Sequence, residues 1–241
     1  LNVRYADALE MADRHVVQAS FTYDIAELGR SYWRELFSLM RKRDVHIGLY
    51  NECFQMPSSR FVKYFARSVD LEHSCIALSP LSGLERVRRL NGKHFSNMEL
   101  INLMDALNLH NIFALIYFSL NLPGENEETL EASIALAEQM VRSYPHSKLR
   151  ILSSAHTLDP LSPMAEHPEK FDITVSMKIF KDWYTYGRET QYGGPEARTE
   201  ARRGFRTVDG SADRSVEAMA DAWDAAREGY EDCWWPIPPS W

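Results

Sequence analysis

The run Ile112-Phe-Ala-Leu-Ile-Tyr-Phe-Ser-Leu120 constrains this chain more than any other stretch. It is apolar, rich in β-branched and aromatic residues, and of a length that suits a strand buried on both faces. Asn121-Leu-Pro-Gly124 stops it with turn chemistry. Glu125, Glu127 and Glu128 then supply an acidic first turn, which complements the positive end of a helix. Leu130, Ile134, Ala137 and Val141 follow at helical spacing. Strand, loop and helix in that order form the unit of a parallel α/β sheet. In such sheets chemistry collects at the carboxyl ends of the strands, so Asn121 to Glu125 is expected at the mouth of a site.

The same unit recurs along the chain. Residues about 3–13 read as a helix with Tyr5, Leu9 and Ala12 on one side, and His15 to Phe21 as a strand ending in Thr22-Tyr-Asp24. Trp33, Leu36, Phe37 and Met40 mark an amphipathic helix that ends in the basic run Arg41-Lys-Arg43. Val45 to Tyr50 is a second strand, ending at Asn51-Glu52, and Phe61, Val62, Phe65 and Val69 mark the next helix. Cys75 to Leu78 is a third strand, ending at Ser79-Pro-Leu-Ser-Gly83, with a short helix over Leu84 to Leu90. Ser96-Asn-Met-Glu99 has the form of a capping box for a helix with Leu100, Leu103, Met104 and Leu107 inward. Lys148 to Ser153 is the last strand, followed by the loop from His156 to Pro163. Strands alternating with helices predict a βα repeat, and right-handed crossovers make its sheet parallel.

After about Asp172 the character changes. Trp183, Tyr184, Tyr186 and Tyr192 cluster near Gly193-Gly-Pro195, and the charged stretch Glu196 to Arg206 reads as exposed or disordered. A helix is expected over about 215–230, with Val216, Met219, Ala220 and Trp223 on one face. The aromatic, proline-rich end, Cys233 to Trp241, is expected to be non-helical and to pack against the domain. The division is therefore 1–172 and a C-terminal extension, 173–241.

A net charge of −7 over 241 residues gives no reason to expect nucleic acid or an anionic membrane as partner. No apolar run reaches the roughly 18 residues a membrane span needs. Cys53, Cys75 and Cys233 are odd in number and far apart, which is no disulfide framework, so a cytoplasmic setting is the expectation.

Three segments together resemble the radical S-adenosylmethionine (SAM) superfamily, and within it the cobalamin-associated branch. Asn121-Leu-Pro-Gly-Glu-Asn-Glu-Glu-Thr129 is similar to that branch's Gly-Leu-Pro-Gly-Glu-Thr-x-Glu-Thr segment after the fifth barrel strand. Leu78-Ser-Pro-Leu-Ser-Gly83 with Val87-Arg-Arg-Leu-Asn-Gly-Lys93 resembles its fourth strand and the helix after it. Pro160-Leu-Ser-Pro163 with Glu166-His-Pro-Glu-Lys-Phe171 resembles the segment after its sixth strand. The resemblance covers roughly residues 10–172.

It implies a partial (βα)6-type TIM barrel of parallel strands, SAM, a 4Fe-4S cluster, a reducing partner such as a flavodoxin or ferredoxin and, for that branch, cobalamin. The substrate class is a small molecule or a peptide. Cofactors of this kind carry the radical chemistry, and the protein supplies geometry and exclusion of water. The departure is large: the Cys-x-x-x-Cys-x-x-Cys loop that would bind the cluster is absent, and the three cysteines cannot replace it. With Asn111–Asn121 as fifth strand, His15–Phe21 is the second, so the first strand and cluster loop are expected upstream of Leu1. The chain is then expected to be a fragment, in preference to a degenerate family member, and inactive by itself.

On this resemblance Ser79 and Ser82 are placed to contact the SAM ribose or methionine moiety, although Leu81 stands where family members often carry Glu. Asn121 replaces a usual Gly and, with Glu125, flanks the Pro-Gly turn. Asp24, Asn51 and Glu52 end their strands facing SAM's amino group or the substrate; a carboxylate such as Glu52 can bind an ammonium or act as a base. His156 is placed to meet a substrate or the cobalamin face. Each has a plainer reading: turn-shaping serines, a charged helix N-terminus, capped strand ends, a solvated histidine, an inert Cys53. Two other classes stay open. One is a cluster-free barrel remnant that binds or scaffolds; the other is an ordinary (βα)-barrel enzyme using Glu52, Asp24 and His156 in acid–base chemistry.

Overall fold

The computed structural model describes residues 16–21, 23–125, 127–192, 204–208 and 216–236. The expected helix over 3–13 and the residues His15, Thr22, Gly193 to Pro195 and Trp241 lie outside them. Five parallel strands form one sheet in the order β1-β2-β3-β4-β5, which makes the fold α/β. They are β1 (Gln18–Ser20), β2 (Gly48–Cys53), β3 (Cys75–Leu81), β4 (Phe113–Leu120) and β5 (Leu149–Ala155). Between them run α1 (Arg30–Lys42), α2 (Ser59–Ala66), α3 (Glu85–Leu90), α4 (Asn97–Leu109) and α5 (Glu127–Ser143). Sequential order with parallel pairing is what right-handed βα units produce.

Two strands extend further than the apolar pattern indicates. β2 runs on through Asn51, Glu52 and Cys53, and β3 through Ser79 to Leu81. In β2 the reason is the ladder itself: Glu52 pairs with Ala77 and Cys53 with Leu78, so backbone bonding continues where side chains turn polar. β4 also differs from the expectation of two buried faces. Ala114, Ile116 and Phe118 are fully buried, while Phe113, Leu115 and Tyr117 are half-buried. One face is sealed along its whole length and the other only near Leu120.

Contacts divide the chain into two compact units. The first holds the described residues up to Ser79 with Phe95–Ile116 and Met140–Arg150. Here α1 and α2 interleave aromatic rings: Trp33 meets Phe61 edge-on at 5.7 Å, and Phe37 meets Phe65 at 6.0 Å. Ser58 caps α2 by accepting the Phe61 N–H. The capping box of α4 forms in both directions, Glu99 N–H to Ser96 Oγ at 3.1 Å and Ser96 N–H to Glu99 Oε2 at 2.8 Å.

The second unit holds Pro80–His94, Tyr117–Gln139 and the described residues from Ile151 on. It contains α6 (Pro163–Glu166), β6 (Ile173–Val175), α7 (Phe180–Tyr192), β7 (Phe205–Thr207) and α8 (Val216–Ala226). β6 and β7 pair antiparallel, with Val175 opposite Phe205. This corrects the reading of the charged stretch as exposed: its last residues form a strand, and Phe205 is buried with Leu158, Ile173 and Tyr186. The chain end returns to the sheet. Ile151 donates to the Cys233 carbonyl at 2.8 Å, and Trp235 donates to Ile151 at 2.9 Å, so Trp234 bridges β5 in parallel. Trp234 is wholly buried against Trp223, which also packs on Phe118. No helix among the described residues is long and apolar enough to cross a membrane.

Candidate functional site

Strand ends of the first unit are closed on themselves at Asp24 but leave Asn51 Oδ1 buried without a partner among the described residues. Asp24 is buried, and both its oxygens accept backbone N–H groups, from Ala26 at 2.8 Å and from Phe54 at 3.0 Å. It ties the segment after β1 to the segment after β2. Burial raises its pKa, and these hydrogen bonds work against the rise. Asn51 Nδ2 donates to Cys53 Sγ at 3.1 Å. Burial, reinforced by the nearby Asp24 charge, holds the Cys53 thiol well above its usual range, so it is no nucleophile. Glu52 points to the other face of β2 and is half-buried, with Ser79 Oγ 3.5 Å from its Oε1. That pair is the open part of this rim.

The second unit carries two strand-end loops. After β3, Leu81 sits at φ 66°, and Ser82 N–H bonds the Pro80 carbonyl at 2.8 Å, which makes Leu81 the centre of a strained γ-turn. Everything around it is wired. Ser133 Oγ accepts the Gly83 N–H at 2.8 Å, and buried Arg88 donates to the Ser82 carbonyl through Nε at 3.3 Å and Nη2 at 2.8 Å. A Cβ on Gly83 would lie 2.1 Å from the Ala132 carbonyl oxygen, so no other residue fits. Ser82 is fully buried, and its hydroxyl lies 3.4 Å from Ser133 Oγ and 3.3 Å from the Leu84 N–H that it accepts. It shapes this turn. The roles of Arg88, Ser133 and Gly83 are not legible in the motifs, because each depends on a contact that the fold makes.

The loop after β4 is built differently. Asn121 takes φ 63°, a conformation that Asn tolerates and Gly adopts freely. Glu125 Oε2 accepts the Leu122 N–H at 2.9 Å, and Glu125 N–H returns a bond to the Leu122 carbonyl at 3.0 Å. Asn91 Nδ2, reaching from the end of α3, donates to the Pro123 carbonyl at 3.3 Å. Yet Asn121 Nδ2, Glu125 Oε1 and Asn91 Oδ1 are buried without a partner among the described residues. Burial pushes the Glu125 carboxyl up to about 7, although backbone N–H groups of Leu122 and Asn121 pull it down. A buried donor and buried acceptor left open in one turn are costly unless something else meets them.

His156 follows β5 and its N–H bonds the Leu120 carbonyl at 2.9 Å. Its ring lies 6.4 Å from Phe205, and burial pushes the imidazole down to about 4, which keeps it neutral. Of the sequence-predicted residues, the fold brings together Glu52 with Ser79, Asp24 with Asn51 and Cys53, and Asn121 with Glu125.

A 4Fe-4S cluster does not fit the cysteines present. Cys53 and Cys75 are buried in different strands, and burial pushes the Cys75 thiol up to about 11. Thiolate ligands are what such a cluster requires. SAM, by contrast, carries the amines, hydroxyls and carboxylate that the open atoms of Asn121 and Glu125 would meet.

No family model and no curated protein matches this sequence. Solved structures of the radical S-adenosylmethionine methyltransferase TsrM from Kitasatospora setae do match. One, with cobalamin and 4Fe-4S cluster bound, gives a TM-score of 0.53 at 14% identity; it covers 65% of this chain and 29% of that one. Another, with tryptophan substrate and the SAM analogue aza-SAM bound, gives 0.51 at 14% identity, over 65% of this chain and 30% of that one. This chain therefore spans under a third of the length of TsrM. At such identity the likeness is one of fold.

Proposed function

We propose that this chain forms the SAM-binding part of a radical SAM enzyme of the cobalamin-associated kind, its five strands being the second to sixth of a partial (βα)6 barrel. The cluster-binding cysteines then come from outside these 241 residues. Radical generation belongs to the cofactors; this chain's part is to hold SAM and shield it. The observation that carries the reading is the loop after β4. Its sequence resembles the superfamily's segment, and it leaves a buried amide donor on Asn121 and a buried carboxyl oxygen on Glu125 open. Fold analogy raises the prior and no more. Glu52 and Ser79 are further candidate contacts on their own strand ends. Asp24 and Ser82 act by fixing the turns that carry them. Cobalamin, a small-molecule or peptide substrate and a reducing partner such as a flavodoxin or ferredoxin belong to the same proposal.

Calorimetric titration with SAM tests it. Saturable binding is expected, weakened at least about tenfold by Asn121→Ala or Glu125→Ala, the loss of roughly one charge-assisted hydrogen bond. Folded protein that takes up no SAM would sink the reading. A cluster-free binding module is the second reading, favoured by the burial of all three cysteines. Iron and sulfide analysis after anaerobic reconstitution of the complete gene product separates the two.

A further inference from the structure

The chain is acidic, but its charge is unevenly spread. Residues 30–43 and 59–67, which are α1, α2 and the residues that close them, hold eight of the 27 basic side chains and one acid, Glu35. Arg41 and Lys42 complement the C-terminal end of α1. Arg30 and Arg60 do the reverse. They stand in the first turns of α1 and α2, which contain no acid, and there a cation opposes the helix dipole. Arg30, Lys42, Arg43, Arg60, Lys63 and Arg67 are exposed, and none has a side-chain partner among the described residues. Nothing in the fold calls for this arrangement.

The face is also shaped. Arg34 and Arg41 both lie over the Tyr64 ring, at 5.8 and 5.3 Å from its centroid. Arg41 is held there by Ser68 Oγ at 2.6 Å. Together they line an open cleft of about 330 Å³ with Ser31, Ser38 and Glu35, the one acid of these two helices, which the two guanidinium groups outnumber. A second cleft of about 290 Å³ lies between Arg30 and Arg60, with Trp33 and Met56 in its wall. Asp24 and Glu27 line it too, but the Asp24 carboxylate is spent on backbone N–H groups. The aromatic interleaving of α1 and α2 makes the platform stiff. Arg30 and Arg41 are about 16 Å apart along the helix at 1.5 Å per residue, which about five residues of extended chain would span.

We propose that the α1–α2 face is a docking surface for an acidic protein, whose carboxylates enter the two clefts and are forked by Arg30, Arg34, Arg41 and Arg60. A protein fits better than RNA on two counts. The strongly acidic remainder of this chain repels a long polyanion but not a partner that touches one face. Tyr64 is already covered by two guanidinium groups, and Trp33, in the wall of the second cleft, is buried, so neither ring offers an open platform for a base.

Fluorescence anisotropy with a labelled peptide of alternating Asp and Glu, and with an oligouridine of equal length, tests this at low and at roughly 0.3 M salt. The peptide is expected to bind saturably at low salt and to be released at high salt. The triple variant Arg30→Glu, Arg34→Glu, Arg60→Glu is expected to bind at least about tenfold more weakly. Reversal of Lys178 and Lys181, exposed elsewhere, leaves binding unchanged. If the charge-reversed variant fails to fold by thermal melt, the glutamine triple variant takes its place. No peptide binding at low salt, equal binding by the triple variant, or tighter binding of oligouridine would each overturn the proposal.

Discussion

The loops after β3 and β4 begin alike and end differently. Each turns on a residue with positive φ, Leu81 at 66° and Asn121 at 63°, and each has a glycine two or three places on. Around the first, Ser82, Ser133 and Arg88 meet the turn's polar groups, so the strain at Leu81 is held by bonds that have no other use. Around the second, the backbone is tied through Glu125 Oε2 but an amide and a carboxyl oxygen are left over. A finished network marks a joint of the scaffold. An unfinished one, equally buried, leaves polar atoms whose cost a bound polar group would offset.

The contrast breaks most sharply at Gly83. Gly83→Ala drives a methyl into the Ala132 carbonyl, and a loss of about 3 kcal/mol or more is expected in urea unfolding. A stable Gly83→Ala protein would show that the first loop is not over-determined. Next in size is the pH response of the second loop. With its folded pKa raised to about 7 from 4.5, Glu125 keeps a proton in the folded state that the unfolded chain has lost. Its contribution is neutral below about pH 4.5, and stability falls as pH rises from there through about 7, by a total on the order of 3 kcal/mol. Glu125→Gln is expected to flatten that part of the stability–pH curve. An unchanged slope would locate the titration elsewhere. Smallest is Asn121→Gly, which suits φ 63° and removes the stranded amide. A stability gain of up to about 1 kcal/mol, together with weaker SAM binding, would sharpen the distinction; a gain in both would abolish it.

Much of the sheet was legible because its strands are apolar runs between turn signals, as at Ile112–Leu120. Strand ends were less so. Glu52 and Ser79 look like loop residues by composition, yet backbone pairing with β3 carries β2 past Glu52, and β3 itself runs on past Ser79. β6 and β7 were missed because three-residue strands in a charged setting have no period to detect, although Ile173 and Phe205 are apolar and both are buried. For the candidate site, the motif located Asn121 and Glu125 but could not say which of their atoms are spent. Arg88 was hidden for a related reason. A basic side chain in an Arg-rich turn reads as solvated, and its burial follows from a carbonyl six residues earlier that only the fold brings near.

The pairing of Ile151 with Cys233 and Trp235 joins positions more than eighty residues apart. During synthesis the second unit cannot close until its last described segment has left the ribosome, so the outer border of β5 stays available to other chains for all that time. Loss of the segment beyond Tyr230 would make that exposure permanent and favour clumping over assembly.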